Sequence, residues 1–205
     1  MLNKIIEILF PKTCINCLKE GKFLCDDCFA KIKITYPQIQ NSNFCALFIP
    51  CYLHQNPILR KAVHKLKYSF YKDISLELSE LFSKFTLPKN AHIIPIPLHK
   101  KRLKYRGFNQ SEILAKNLSQ PISPILIRTK NTNSQATLSK TDRQKNIKNS
   151  FKINPEISLL KTTPLIILDD ICTTFSTMNE AAITLKKAGF KIIYGMALAH
   201  AELKH

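Results

Sequence analysis

Apolar residues along this chain fall into short continuous runs, separated by segments with a longer period. The run FCALFIPCYL (44–53) is rich in aromatic and β-branched residues and predicts a strand. AHIIPIPL (91–98), SPILIRT (123–129), SFKI (150–153), PLIIL (164–168) and KIIYGMALAHA (191–201) read as further strands. Between them the period becomes helical. In NPILRKAVHKLKYS (56–69), Ile58, Leu59, Ala62, Val63 and Leu66 share one face, with Asn56 as N-cap before Pro57. ISLELSELFSKF (74–85) predicts a second helix that stops before Pro88. Asn109 opens a third through SEILAKNLS, and a fourth runs from Met178 to Ala188 and ends at Gly189. HKKRLKYRGFN (99–109) reads as a basic loop and residues 130–148 as a long polar one. Strands alternating with helices predict an α/β fold with a parallel sheet covered on both faces. Ligands of such sheets bind beyond the carboxyl ends of the strands. The polar stretches 98–108 and 169–177 both fall there.

Length and charge narrow the picture. The 205 residues suit one ordinary domain with a small appendage. Basic residues outnumber acidic ones by 31 to 14, a formal charge of +17 spread along the chain. That excess points to a polyanionic partner: nucleic acid, anionic lipid or a phosphorylated ligand. No apolar run reaches the length of a membrane span. The opening MLNKIIEILFPK is short, broken by Glu7 and without a small-residue cleavage site. It is read as a short helix with the stripe Ile5, Ile6, Leu9, Phe10, not as a signal peptide.

Seven cysteines without a secretion signal suggest a reducing compartment, where metal binding is commoner than disulfides. CINCLKEGKFLCDDC (14–28) holds two C-x-x-C pairs seven residues apart: Cys14 with Cys17, and Cys25 with Cys28. Each pair aims two thiolates at one tetrahedral ion, and four sulfurs favour zinc in a closed, structural site. Cys45 and Cys51 lie in an apolar strand and are read as small core residues. YPQIQNSNF (36–44) reads as a linker.

The stretch LDDICTTFSTMNEAAITL (168–185) carries the most chemistry. The paired carboxylates Asp169 and Asp170 end a buried strand, and the hydroxyls of Thr173, Thr174, Ser176 and Thr177 follow at once. A helix starting near Ser176 or Thr177 offers free N–H groups to an anion. The hydroxyls add neutral donors. The carboxylates would repel a phosphate, so they need another contact, such as ribose hydroxyls or a magnesium ion. The blander account is a capping box from Thr177 to Glu180.

DDICTTFSTMNEAA resembles the phosphoribosyl-pyrophosphate (PRPP) loop of type I phosphoribosyltransferases, two acidic residues followed by Thr-Thr-Gly-x-Thr. More narrowly, the chain resembles the ComF family of competence proteins. The resemblance rests on the cysteine block, HKLKY (64–68) and IPIPLHKKRLKYRGFNQSEILA (94–115). The spaced Arg128, Thr132, Gln135, Arg143 and Asn146 also match, as does the loop itself. It implies a zinc-binding module at 1–35 and a phosphoribosyltransferase-type domain at 36–205. Asp169 and Asp170 would be the catalytic carboxylates, contacting the ribose 2′ and 3′ hydroxyls. The run Thr173, Thr174, Phe175, Ser176 and Thr177 would hold the 5′-phosphate. Leu98 and His99 would meet the pyrophosphate, with Mg²⁺ bridging it to the ribose. Arg102 and Arg106 would neutralise it, and a hood would bring in Gln135 and Arg143.

The same resemblance implies natural transformation, in which imported single-stranded DNA is handled in the cytoplasm. The chain itself would then be cytoplasmic, reaching the inner membrane face only through partners. Lys100, Lys101, Arg102, Lys104 and Arg106, interleaved with Tyr105, fit a basic groove with a stacking ring; Lys65 and Lys67 extend it. Phe108 is assigned to packing. Three readings stay open: a PRPP-binding competence protein, an active transferase with an unidentified acceptor, and a PRPP sensor that docks on a helicase or channel. One departure is plain. Phe175 stands where the family pattern has glycine, so the loop either keeps φ negative or bears strain.

Overall fold

The computed structural model describes residues 11–131 and 147–202. Five strands form one sheet: β1 (Leu47–Phe48), β2 (Cys51–Tyr52), β3 (His92–Pro95), β6 (Leu165–Cys172) and β7 (Ile193–His200). Two more, β4 (Leu126–Arg128) and β5 (Phe151–Ile153), pair apart from it. The α-helices among the described residues are α1 (Asp26–Phe29), α2 (Pro57–Lys65), α3 (Ser75–Ser79), α4 (Lys100–Arg106), α5 (Gln110–Ala115) and α6 (Ser176–Lys187).

In the main sheet β7 and β6 are central, β3 flanks β6, and β1 and β2 both flank β7. Every pairing is parallel. The apolar run Leu165–Leu168 explains the centre: alternate side chains feed opposite faces, and all four are fully buried. Leu165 and Ile167 pack with Met178, Ala181 and Leu185 of α6. Ile166 and Leu168 pack on the other face with Leu59, Leu78 and Leu114 of α2, α3 and α5. Leu24, Cys28 and Ile32 of the cysteine block join that second core. Gly195 of β7 leaves room where three side chains converge; a Cβ there would lie 2.6 Å from Leu47 and 2.9 Å from Met178.

Several expectations change. The strand expected over 44–53 is broken, because Pro50 has no N–H for the ladder. Its halves keep one register, with Leu47 opposite Gly195 and Cys51 opposite Ala199. The segments SPILIRT and SFKI do not extend the parallel sheet. They form an antiparallel pair, with Leu126 opposite Ile153. The helix expected over 74–85 is regular only in α3 and is flanked by 3₁₀ turns at 69–74 and 80–84. The basic loop expected at 99–109 contains helix α4, capped by His99, whose Nδ1 accepts from Lys101 N–H. Gly107 closes it at φ 81°, where glycine carries no Cβ penalty. Lys, Arg and Leu favour helix, but α4 buries no residue, so no apolar stripe marked it. Among the described residues, no helix is long and apolar enough to cross a membrane.

Candidate functional site

β6 runs four residues further than its apolar core, through Cys172, so Asp169 and Asp170 sit on the strand and not in the loop after it. Asp169 stands opposite Ala197 of β7. Its Oδ1 accepts from the Asp170 N–H (2.9 Å) and the Ser111 hydroxyl (3.3 Å). Asp170 is buried, and its Oδ1 accepts from the Ile171 N–H at 2.9 Å. Burial pushes the Asp169 carboxyl well above the usual carboxylate range, and the Asp170 charge adds to it. The Arg128 guanidinium pulls the other way.

Ser111 reaches Asp169 because the chain folds back after α4. Asn109 caps α5 by accepting from the Ser111 N–H (3.1 Å) and donates to the Ile96 carbonyl (3.0 Å). This pins the RGFNQ segment to the end of β3. Arg106 in turn donates to Gln110 Oε1. Burial depresses the Arg106 pKa, and the Asp170 charge opposes that shift.

The loop after β6 turns sharply into α6. Thr174 and Ser176 share a hydroxyl hydrogen bond of 2.6 Å. Phe175 occupies the N-cap position in the left-handed region, at φ 58° and ψ 4°. That answers the question its identity raised: the loop bears the strain, about 1–2 kcal/mol. The Phe175 ring is only 8% exposed and stacks on His200, with centroids 5.6 Å apart and planes 24° from parallel. Burying a phenyl ring stabilises by about 1.5–3 kcal/mol, enough to offset the strain. His200 Nε2 lies 3.0 Å from the Thr173 carbonyl, so that nitrogen carries the proton. The expected capping box is not made. The N-cap is Phe175 and not Thr177, and Glu180 accepts from the Asn149 N–H at 2.7 Å.

These elements line a cavity of about 530 Å³. Asp169 and Asp170 meet the loop Thr173, Thr174, Phe175, Ser176 and Thr177 there, and Leu98 adds an apolar contact. Lys67, Arg102, Arg106 and Arg128 make the same cavity basic. Arg128 is buried at the end of β4, its guanidinium 5.6 Å from the Phe151 ring centre. Tyr105 stands at the rim and is 94% exposed.

The other residues picked out from the sequence lie elsewhere. His99 caps α4 and does not line the cavity. Lys100, Lys101 and Lys104 are exposed on α4. The Lys65 ammonium sits 4.6 Å over the Tyr71 ring. Gln135 and Arg143 fall outside the described residues. Sequence reasoning gave Gln110, Ser111 and Arg128 no role in the site. The signal was available in the RGFNQ motif and in the spaced arginines.

A second cluster lies in the cysteine block. The sulfurs of Cys14, Cys17, Cys25 and Cys28 all lie within 4.8 Å of one another. A tetrahedron of 2.3 Å zinc–sulfur bonds has edges of about 3.8 Å. Cys17 and Cys25 are 3.5 Å apart. Two positive-φ residues, Leu18 and Gly21, shape the connection. Asn16 Nδ2 donates to the Cys28 sulfur at 3.4 Å. Burial opposes ionisation of Cys14, but N–H groups of Cys17, Cys25 and Asn16 outweigh it and bring the thiol to about 6. These four residues could hold a zinc ion.

No family model matches the chain. It is similar to Competence protein F of Haemophilus influenzae, at 36% identity over 114 residues, covering 53% of this chain and 50% of that protein. DNA utilization protein YhgH of Escherichia coli K12 is 32% identical over 148 residues, covering 65% of this chain and 63% of that protein. Competence protein ComFC of Bacillus subtilis is 30% identical over 138 residues, covering 65% and 56%. The chain thus spans between half and two thirds of the length of the curated relatives it matches. Over that share of their length the chain is similar to competence and DNA utilization proteins, and its four-cysteine cluster stands beside a parallel α/β sheet.

Proposed function

We propose that the cavity binds PRPP with Mg²⁺, and that the protein serves natural transformation by handling single-stranded DNA. One observation carries the first part: paired carboxylates at the end of a central strand share a cavity with a hydroxyl-rich loop and three arginines. The 5′-phosphate lies against the loop, where the Thr174 and Ser176 hydroxyls and the first N–H groups of α6 converge. Asp169 and Asp170 accept from the ribose hydroxyls, a contact an anion could not make. Arg102 and Arg106 meet the pyrophosphate, and Mg²⁺ would offset its remaining charge there. On this reading residues 36–205 form a type I phosphoribosyltransferase-type domain, and residues 1–35 a module that zinc stabilises. The relatives' names, competence and DNA utilization, support the second part, as does the charge of +17. Lys100, Lys101 and Lys104 face solvent on α4 beside Tyr105, which suits a strand tracking along the cavity rim. Transfer to an acceptor is a second reading, favoured by a basic cavity able to take up departing pyrophosphate.

Calorimetric titration with PRPP and Mg²⁺ tests the cavity. Wild type binds, and the Asp169→Asn, Asp170→Asn double variant binds at least about tenfold more weakly. No uptake by wild type contradicts the reading, and pyrophosphate release in the presence of an acceptor would favour the transferase. For DNA, each phosphate contact contributes about 0.7 to the log–log salt slope, so about three or four contacts weaken binding about 20- to 50-fold over a fourfold rise in salt. A flat salt series removes the DNA interface. Emission spectroscopy should find one zinc per chain, lost in Cys25→Ser with a fall in melting temperature. Because thiolates are the ligands, zinc retention weakens as pH falls. A metal-free protein of unchanged stability contradicts the zinc module.

A further inference from the structure

The Thr173–Thr177 loop is held from behind by the end of β7. His200, the last residue of β7, pairs with Cys172, the last of β6. The Ala201 N–H donates to the Cys172 carbonyl at 2.8 Å. The His200 Nε2–H donates to the next carbonyl, Thr173, at 3.0 Å. The ring of Phe175 then stacks on the same imidazole, which Tyr52 contacts from a third side with centroids 5.9 Å apart. His200 does not line the cavity, and its Nδ1 is buried with no hydrogen-bond partner among the described residues. The ring therefore acts on the loop and not on a ligand.

A bulky residue at positive φ persists only where its surroundings over-determine it. Here the stack fixes the Phe175 side chain, and the Thr173 hydrogen bond fixes the backbone two residues earlier. Released from His200, Phe175 would relax toward negative φ and separate the Thr174 and Ser176 hydroxyls. We propose that His200 is a positioning residue. It locks the loop in its anion-accepting shape, supplying through a ring stack and one hydrogen bond what a glycine would supply through its own freedom. The PRPP arm of the test rests on the reading of the cavity given above; the ligand-free arm does not.

The experiment compares His200→Ala, His200→Phe, Phe175→Gly and the Phe175→Gly, His200→Ala double variant. His200→Ala should weaken PRPP–Mg²⁺ binding about tenfold or more, and His200→Phe, which keeps the stack but loses the donor, about threefold. In the Phe175→Gly background the effect of His200→Ala should shrink to about threefold. Equal losses in both backgrounds, or none, overturn the proposal. Backbone order parameters of residues 173–177 without ligand should fall from about 0.85 to below about 0.6 in His200→Ala. If wild type takes up no PRPP, the cavity reading fails, and this measurement alone decides: unchanged order overturns the lock. Should His200→Ala not fold, the His200→Phe loss decides instead, and its absence overturns the hydrogen bond.

Discussion

The in-register ladder between β6 and β7 is the constraint from which the site follows. It runs unbroken in direction from Leu165 opposite Ile193 to Cys172 opposite His200. Its buried half is apolar on both faces, so the register cannot slip without turning core residues outward. Its far half carries Asp169, Asp170 and Cys172 on one strand and His200 on the other. The carboxylates and the residue that grips the loop are thus fixed by the same backbone hydrogen bonds that hold the core.

Around that ladder, burial works against the charged forms of acids and bases alike. The half-buried Asp169 carboxyl is pushed toward its neutral form, while burial makes the Arg106 and Arg128 charges less favourable. Groups strained in this way gain most from a ligand that brings hydroxyls to the acids and phosphates to the bases. A sugar phosphate does both. The loop strain at Phe175 belongs to the same economy of a preformed site, since the buried stack on His200 holds the loop without ligand.

What could be read from residues was whatever local pattern controls. The C-x-x-C spacing placed four sulfurs together, and the apolar runs at 164–168 and 191–201 gave the central strands. Gly189, at φ 96°, does follow the last helix. Features set by distant partners were not legible. The antiparallel pairing of 126–128 with 151–153 depends on a partner more than twenty residues away in sequence. Helix α4 lacked an apolar face to betray it. Glu180 matched a capping box but found the Asn149 backbone instead. Asn56 sits at its expected N-cap position, yet its side chain clips Lys33 and Tyr52 rather than the helix. His200 bore no motif at all, because its role comes only from lying beside Thr173 and Phe175.

The central claim is that the turn from β6 into α6 is an anion cradle with a sugar on its carboxylate side. The most direct measurement is a titration of the isotopically labelled protein with ribose 5-phosphate, followed by amide proton–nitrogen correlation spectra. The account predicts saturable shifts concentrated at Thr173–Thr177 and at Asp169 and Asp170. Shifts confined to Lys100–Arg106, or none at all, would contradict it.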